Sequence, residues 1–115
     1  MTGEVLCRLA DLDATGAKEI VLERNGARLP VFVAKGESRI FGYVNSCPHA
    51  RLPLNWREDA FFDVSRTYLF CANHGAHFAL DTGLCLRGPC KGQSLTPFSI
   101  HVIGDVVIEG ESNAQ

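Results

Sequence analysis

Two short pairs of potential metal ligands stand out in this chain, and each pair combines a cysteine with a histidine. The first pair is Cys47-Pro48-His49, and the second, after 21 intervening residues, is Cys71-Ala72-Asn73-His74. Such a C-x-H and C-x-x-H pattern can ligate two chemically different irons. Two thiolates suit an iron that stays ferric, whereas two neutral imidazoles put less negative charge on the iron that accepts an electron.

Cysteine and histidine at short spacing can also hold other metals. Zinc takes a tetrahedral set of two nitrogens and two sulfurs, but its modules usually pair cysteine with cysteine and histidine with histidine. A c-type haem needs the motif C-x-x-C-H, which this chain lacks. The mixed pairs therefore favour iron, and zinc is the alternative.

Around these pairs the sequence resembles the Rieske ferredoxin family. In that family the second pair is followed by a glycine, an aromatic residue four positions after the histidine, a turn ending in glycine and a Gly-Pro loop. This chain supplies Gly75, Phe78, the turn Asp81-Thr82-Gly83 and Gly88-Pro89. The resemblance runs over about residues 4–110 and is most specific over 47–92.

The resemblance implies one [2Fe–2S] cluster per chain, with Cys47 and Cys71 on the inner iron and His49 and His74 on the outer iron. The loop at Gly88-Pro89 would start a lid over the cluster. Pro48 would stiffen the first ligand loop, and Gly75 would let the backbone pass close to the sulfides. The residues expected near the cluster or in its lid are Pro48, Arg51, Gly75, Phe78, Gly88 and Pro89.

The chain departs from the high-potential branch of the family at four positions. Leu52 and Asn73 stand where that branch has two disulfide-bonded cysteines. Ala76 and Phe78 stand where it has hydroxyls that donate hydrogen bonds to cluster sulfur. The expected potential is therefore at the low end of the Rieske span, about −150 mV. Arg51 could favour the reduced cluster, although a solvated surface arginine is the more ordinary interpretation.

Composition predicts one ordinary globular domain, residues 1–115. Of these residues 46% are hydrophobic and 21% charged, and the net charge of −2 gives no basic footprint for nucleic acid. No apolar run approaches the roughly 20 residues of a membrane span. The N-terminus has no basic segment followed by a hydrophobic one, as a secretory signal would. We therefore expect a cytoplasmic protein that binds neither nucleic acid nor membrane.

The strand and turn pattern predicts an all-β sandwich or barrel of about nine short strands. Asn25-Gly26 and Gly104-Asp105 are expected hairpin turns. The Rieske resemblance implies an antiparallel β base with an inserted cluster-binding subdomain at about 45–92. A short helical turn is expected within 55–66. The predicted strands cover residues 5–9, 18–22, 29–34, 39–44, 67–71, 77–80, 98–102 and 106–109.

Three cysteines remain outside the predicted ligand set. Cys7, Cys85 and Cys90 are an odd number, which argues against a disulfide framework. In a reducing cytosol they are expected to be thiols, with buried packing as their ordinary role. Cys85 and Cys90 flank the Gly88-Pro89 loop, so a disulfide or reactive thiol there is the alternative.

These features together predict an electron carrier that takes one electron from a reductase to a terminal oxygenase. The chain has no nucleotide-binding glycine motif, and we predict no catalytic centre of its own. A second hypothesis is an accessory subunit similar to that of nitrite reductase, although such subunits often lose the ligands. A third is a redox-sensing module in which Cys85 and Cys90 respond to oxidants.

Overall fold

The structure is a computed structural model that describes residues 4–37, 39–48, 52–55, 59–72 and 75–110. Over those residues the chain forms nine β-strands and one short 3-10 turn, Leu9–Leu12. The predicted all-β class is therefore confirmed. The strands are β1 (Val5–Arg8), β2 (Ala17–Arg24), β3 (Ala27–Lys35), β4 (Ile40–Val44), β5 (Leu69–Cys71), β6 (Ala76–Phe78), β7 (Cys85–Arg87), β8 (Ile100–Ile103) and β9 (Val106–Glu109).

These strands form three antiparallel sheets of three strands each. We call them the central sheet (β2-β3-β4), the terminal sheet (β1-β9-β8) and the small sheet (β5-β6-β7). Residues 96–98 add to the edge of β4, since the Val44 N–H donates to Thr96 and the Phe98 N–H donates to Gly42, both at 2.9 Å. Because β8 begins two residues later, at Ile100, this segment connects the central sheet to the terminal sheet along the chain.

Both predicted hairpin turns are present. Asn25 and Gly26 have φ values of 55° and 80°, the left-handed values that a two-residue type I′ turn needs. They connect β2 and β3, which pair over their whole length from Arg24 opposite Ala27. Gly104-Asp105 joins β8 to β9 as a second two-residue turn, in which Gly104 has a positive φ of 63° and Asp105 does not. Local turn chemistry thus fixes the register of both hairpins.

The middle strand β3 separates two hydrophobic cores. Phe32, Val33 and Ala34 are all fully buried, although successive side chains point to opposite faces of a strand. Val33 packs into the base core, which comprises Cys7, Leu12, Val33 and Val107. Phe32 and Ala34 face the site core, a cluster formed by Ala17, Phe32, Ala34, Tyr43, Cys47, Leu54, Phe61, Leu69, Cys71, Ala76, Phe78, Cys85, Cys90 and Leu95.

One local expectation needs correction, and a second is tested only in part. β1 was expected to reach Leu9, but it ends at Arg8, whose N–H donates to Asp11 Oδ2 at 2.9 Å as the 3-10 turn begins. The described part of 55–66, namely residues 55 and 59–66, contains turns and the Phe62–Leu69 bridge but no helical turn. Residues 56–58 lie outside the described ranges. No helix in the described part of the chain is long and apolar enough to cross a membrane.

Candidate metal centre

The two predicted cysteine ligands lie at the ends of neighbouring strands. Cys47 follows β4 after two residues, and Cys71 is the last residue of β5. Both are fully buried and both belong to the site core. The predicted ligands His49 and His74, and Arg51 beside them, lie outside the described residues. Within the described ranges no group of three or more cysteine, histidine or acidic side chains is placed to hold a metal ion.

Backbone hydrogen bonds close the first ligand loop and tie it to the second. The Cys47 N–H donates to the Leu52 carbonyl at 2.8 Å, across the loop that contains Pro48. Two residues later, the Leu54 carbonyl accepts the Ala72 N–H at 2.8 Å. Because Ala72 directly follows Cys71, this bond holds the chain beside the second cysteine against the end of the first loop.

A buried asparagine supports the same joint from behind. Asn45 is 2% exposed, and its Oδ1 accepts the Leu54 N–H at 2.8 Å. Its Nδ2 donates to Asn55 at 3.0 Å and to Glu19 at 3.4 Å. Glu19, on β2, also accepts a 2.9 Å bond from the Asn55 amide. The central sheet therefore anchors the first ligand loop through the side chains of Glu19, Asn45 and Asn55. The sequence analysis did not predict these contacts. A polar Asn45 between the apolar strand β4 and the predicted ligand Cys47 was the feature that could have indicated them.

The turns after the second pair need their glycines for different reasons. Gly75 has a φ of +73°, and its N–H donates to the Cys71 carbonyl at 2.9 Å. Gly83 has a φ of +74°, and a Cβ there would lie 2.8 Å from the Tyr43 ring. The Tyr43 hydroxyl in turn donates to the Leu80 carbonyl at 2.6 Å. The turn at Asp81-Thr82-Gly83 thus packs directly on the central sheet.

The Gly88-Pro89 loop covers the strand that follows the second pair. Gly88 has a φ of +111°, and a Cβ on it would lie 2.8 Å from the Ala76 Cα. Ala76 pairs with Cys71 across the small sheet. The loop is exposed, and it contacts the residue opposite Cys71; its role as a lid over the cluster stays a prediction.

The remaining cysteines differ in their surroundings. Cys7 lies in the base core, and burial together with Asp11 raises the pKa of its thiol to about 11. Cys85 and Cys90 lie in the site core with their Sγ atoms 2.8 Å apart. Burial, followed by contacts with Cys85 and then Cys47, raises the pKa of the Cys90 thiol to about 12.

Comparison with known proteins decides the family. Residues 4–103 match the model of the Rieske [2Fe-2S] domain. The chain belongs to that family. Membership implies one [2Fe–2S] cluster per chain. Among curated proteins no significant sequence relative was found.

Solved structures share the Rieske fold over nearly their whole length. The ferredoxin of carbazole 1,9a-dioxygenase from Nocardioides aromaticivorans has a TM-score of 0.72 at 19% identity, covering 97% of this chain and 100% of that one. A chain from a complex of reduced oxygenase and oxidized ferredoxin in carbazole 1,9a-dioxygenase gives 0.69 at 22%, covering 97% and 96%. A putative NADPH nitrite reductase small subunit gives 0.63 at 20%, covering 95% and 98%.

The described half of the donor set fits a Rieske cluster. Cys47 and Cys71 place two fully buried thiols in the site core, at the ends of two loops that share a hydrogen-bonded joint at Leu54. Ala76 and Phe78, which lack the hydroxyls of the high-potential branch, are both fully buried.

Two histidines outside the predicted set have partners of their own. His77 Nδ1 lies 3.0 Å from the Gly75 carbonyl, and its Nε2 lies 3.7 Å from Asp63. Asp63 is partly buried, which opposes ionisation, but hydrogen bonds from Ser65 and nearby backbone N–H groups lower the pKa of its carboxyl. His101 Nδ1 lies 2.7 Å from the Gly110 carbonyl. Both histidines thus have contacts within the fold.

Proposed function

We propose that this protein is a cytoplasmic one-electron carrier that accepts an electron from a reductase and delivers it to an oxygenase component. When bound, the cluster would accept and release one electron, so no protein side chain would need to form a radical. Cys47 and Cys71 would hold the inner iron, and His49 and His74 the outer iron. The observation that carries the assignment is the pair of fully buried cysteines whose loops are joined through Leu54.

The choice of an oxygenase as the electron acceptor is supported by a neighbouring fold. The complex of oxygenase and ferredoxin in carbazole 1,9a-dioxygenase contains a chain that covers 97% of this one. The Rieske domain match takes up residues 4–103 of this chain. Weak, transient redox contacts are small, so a carrier of this kind needs no large apolar docking face.

Residues of about 45–92 would form the cluster-binding subdomain, inserted into a base made by the central and terminal sheets. The small sheet, residues 69–87, falls inside this range. Asn45, at the start of the range, and Asn55 connect it to the base through hydrogen bonds to Glu19 on β2. The subdomain would therefore be held both by the site core and by this polar joint.

The potential of the cluster would lie at the low end of the Rieske span, about −150 mV. Ala76 and Phe78 cannot donate hydrogen bonds through their side chains, and burial keeps both positions from water. A hydrogen bond to cluster sulfur favours the more negative, reduced state, so its absence favours the oxidised state. A low potential suits a carrier that must reduce its acceptor.

Visible absorption and low-temperature EPR of the purified protein, before and after dithionite, test the cluster assignment. We expect a reddish-brown protein whose reduced form has an average g value below that of all-cysteine clusters. Iron and sulfide analysis should give two of each per chain. A colourless protein that holds one zinc would contradict the assignment. Stopped-flow oxidation of the reduced protein by a Rieske oxygenase then tests the acceptor class.

An accessory subunit of a nitrite-reductase-like complex is the second candidate, because a putative subunit of that kind shares the fold at a TM-score of 0.63. The four ligand residues of this chain disfavour it. Stable co-purification with a larger reductase subunit, in the absence of a cluster, would favour the accessory role instead.

A further inference from the structure

Cys85 and Cys90 stand at the two ends of the Gly88-Pro89 loop with their sulfurs in contact. The Sγ atoms are 2.8 Å apart, and each residue is 1% exposed. Both are thiols in this structure: Cys90 donates to Cys85, and Cys85 donates to the Arg87 carbonyl at 3.3 Å. A disulfide needs its sulfurs at about 2.05 Å, so a movement of less than about 1 Å would allow the bond.

The backbone holds the two cysteines in this position. The Cys85 N–H donates to the Gln93 carbonyl at 2.7 Å, and the Gln93 N–H donates to the Cys90 carbonyl at 2.8 Å. A third bond runs from the Gly92 N–H to the Cys85 carbonyl at 3.2 Å. Residues 86–89 between the cysteines are exposed, so the thickness of one loop separates the sulfurs from solvent.

The pair also contacts the predicted ligand Cys47. The Cys90 thiol has hydrogen-bonding contacts with both Cys85 and Cys47, but it carries a single hydrogen. A cluster-bound thiolate is the stronger acceptor because it is negatively charged. In the loaded protein the Cys90 S–H would therefore be directed toward Cys47, where it would favour the reduced cluster.

We propose that Cys85 and Cys90 form a reversible disulfide, with hydrogen peroxide as the oxidant, and that this disulfide lowers the potential of the cluster. The disulfide depends only on the two thiols and the loop that holds them. Its effect on the potential rests on the proposed function, since it requires Cys47 to be a ligand. The Gly88-Pro89 loop would then act as an oxidant sensor, because the potential of the carrier would fall when the disulfide forms.

The chemistry balances with peroxide alone. Cys85 attacks one peroxide oxygen, the O–O bond breaks, and a sulfenic acid and one water form. Cys90 then attacks the Cys85 sulfur, the S–O bond breaks, and the second water leaves with the Cys90 proton. The two thiols lose two electrons and two protons, and one peroxide becomes two waters. A small oxidant suits sulfurs that are 1% exposed.

Tryptic mapping of the loaded protein tests the disulfide. Trypsin cleaves after Arg87, between the two cysteines, so the bond would join residues 67–87 to residues 88–91. We expect this linked pair after treatment with about one equivalent of peroxide under argon and alkylation in denaturant, and its loss after phosphine reduction. The Cys7→Ser variant should link normally and Cys85→Ser should not. A Cys90 that stays alkylatable, or that links to Cys47, would overturn the disulfide.

Voltammetry of the same samples tests its effect on the cluster. The disulfide would remove the Cys90 thiol, one weak hydrogen-bond donor to Cys47. The ratio of reduced to oxidised protein at a fixed potential should then fall about twofold to fivefold. For a one-electron couple this is a decrease in potential of about 20–40 mV. The cluster potential of Cys90→Ala should equal that of peroxide-treated wild type, and peroxide should not change it. Cys85→Ser keeps the Cys90 thiol as a hydrogen-bond donor, so its cluster potential should equal that of untreated wild type. Peroxide should not change this potential either. Linked peptides with an unchanged potential would overturn the coupling.

The two readouts keep the proposals separate. Loss of the visible cluster spectrum before any peroxide is added would count against the proposed function, whereas linked tryptic peptides would still establish the disulfide. An intact cluster spectrum without linked peptides would contradict the disulfide proposal but would be consistent with the proposed electron carrier.

Discussion

The base core and the site core lie on opposite faces of β3, and they are built differently. The base core joins aliphatic side chains such as Leu12 and Val107 to Cys7, between the terminal sheet and β3. The site core contains the other four of the chain's five cysteines, and short strands and loops enclose it. A buried asparagine, Asn45, stands at its edge.

The difference shows which interactions stabilise the domain and which position the site. Burial of apolar area is non-directional, so the base core depends on volume and pattern more than on single atoms. The site core depends on directed contacts, including the Asn45 bond to Leu54 and the approach of Gly88 to Ala76. Changes of similar size should therefore have different consequences in the two cores.

The largest contrast is expected between cysteines of the two cores. Cys71→Ala removes one of two proposed thiolates from the inner iron, so the cluster should be lost. Cys7→Ala changes a buried thiol in the base core and should leave a full cluster. Iron content and visible absorption of the two purified variants check this, and a full cluster in Cys71→Ala would contradict the ligand assignment.

Gly88→Ala should have the next largest effect. The residue has a φ of +111°, which costs a side chain about 1–3 kcal/mol, and the added Cβ would overlap the Ala76 backbone. We expect a lower unfolding free energy and faster cluster loss at elevated temperature. Gly104→Ala is the matched control, because its φ is +63° and a Cβ there meets nothing within 4 Å. Equal cluster lifetimes in the two variants would show that the lid contact is unimportant.

Asn45→Leu separates positioning from stability. It leaves the buried Leu54 N–H without its acceptor, a loss of about 1–3 kcal/mol. Val33→Ala in the base core should cost a comparable amount, about 2 kcal/mol, through lost apolar contacts. Urea unfolding should therefore rank the two variants together, whereas the EPR line shape should change only in Asn45→Leu. An EPR change of the same size in Val33→Ala would mean that stability alone controls the site.

Phe78→Tyr should raise the potential of the cluster by about 40 mV, the value of one hydrogen bond of about 1 kcal/mol for a one-electron couple. The residue is fully buried in the site core, and it stands where the high-potential branch has a hydroxyl that donates to cluster sulfur. Phe70→Tyr, on the neighbouring strand, is the control. Protein-film voltammetry measures both, and no upward shift in Phe78→Tyr would count against the low-potential explanation.

The smallest expected effect is the pH dependence contributed by Asp63. Its pKa is lowered in the folded protein, so its contribution to stability is complete above the ordinary aspartate pKa of about 3.9. That contribution disappears as the pH falls through the lowered value. Asp63→Asn should therefore destabilise the protein at pH 7. It should have no such effect at a pH below the Asp63 pKa of both the folded and the unfolded protein. Thermal unfolding against pH, with Asp105→Asn as the exposed control, measures the difference.

Much of the fold could be predicted because it depends on neighbours in sequence. Asn25-Gly26 specifies a type I′ hairpin wherever it occurs between strands. The ligand pairs are also local, since Cys47 and His49 are two positions apart. The segment 55–66 was harder to predict, because the Phe62–Leu69 bridge depends on a strand that follows it. The helical turn expected there is absent from residues 55 and 59–66, the part of the segment that the structure describes.

The sequence by itself determined the all-β class, the hairpin turns and the donor types of the candidate site, because turn geometry and ligand chemistry belong to residues a few positions apart. Only the tertiary structure decided that Asn45 and Asn55 reach Glu19, from which they are 26 and 36 positions away. The same holds for the contact of Cys90 with Cys47. Such contacts depend on how sheets pack and loops close, and a pattern along the chain does not specify which distant groups will meet.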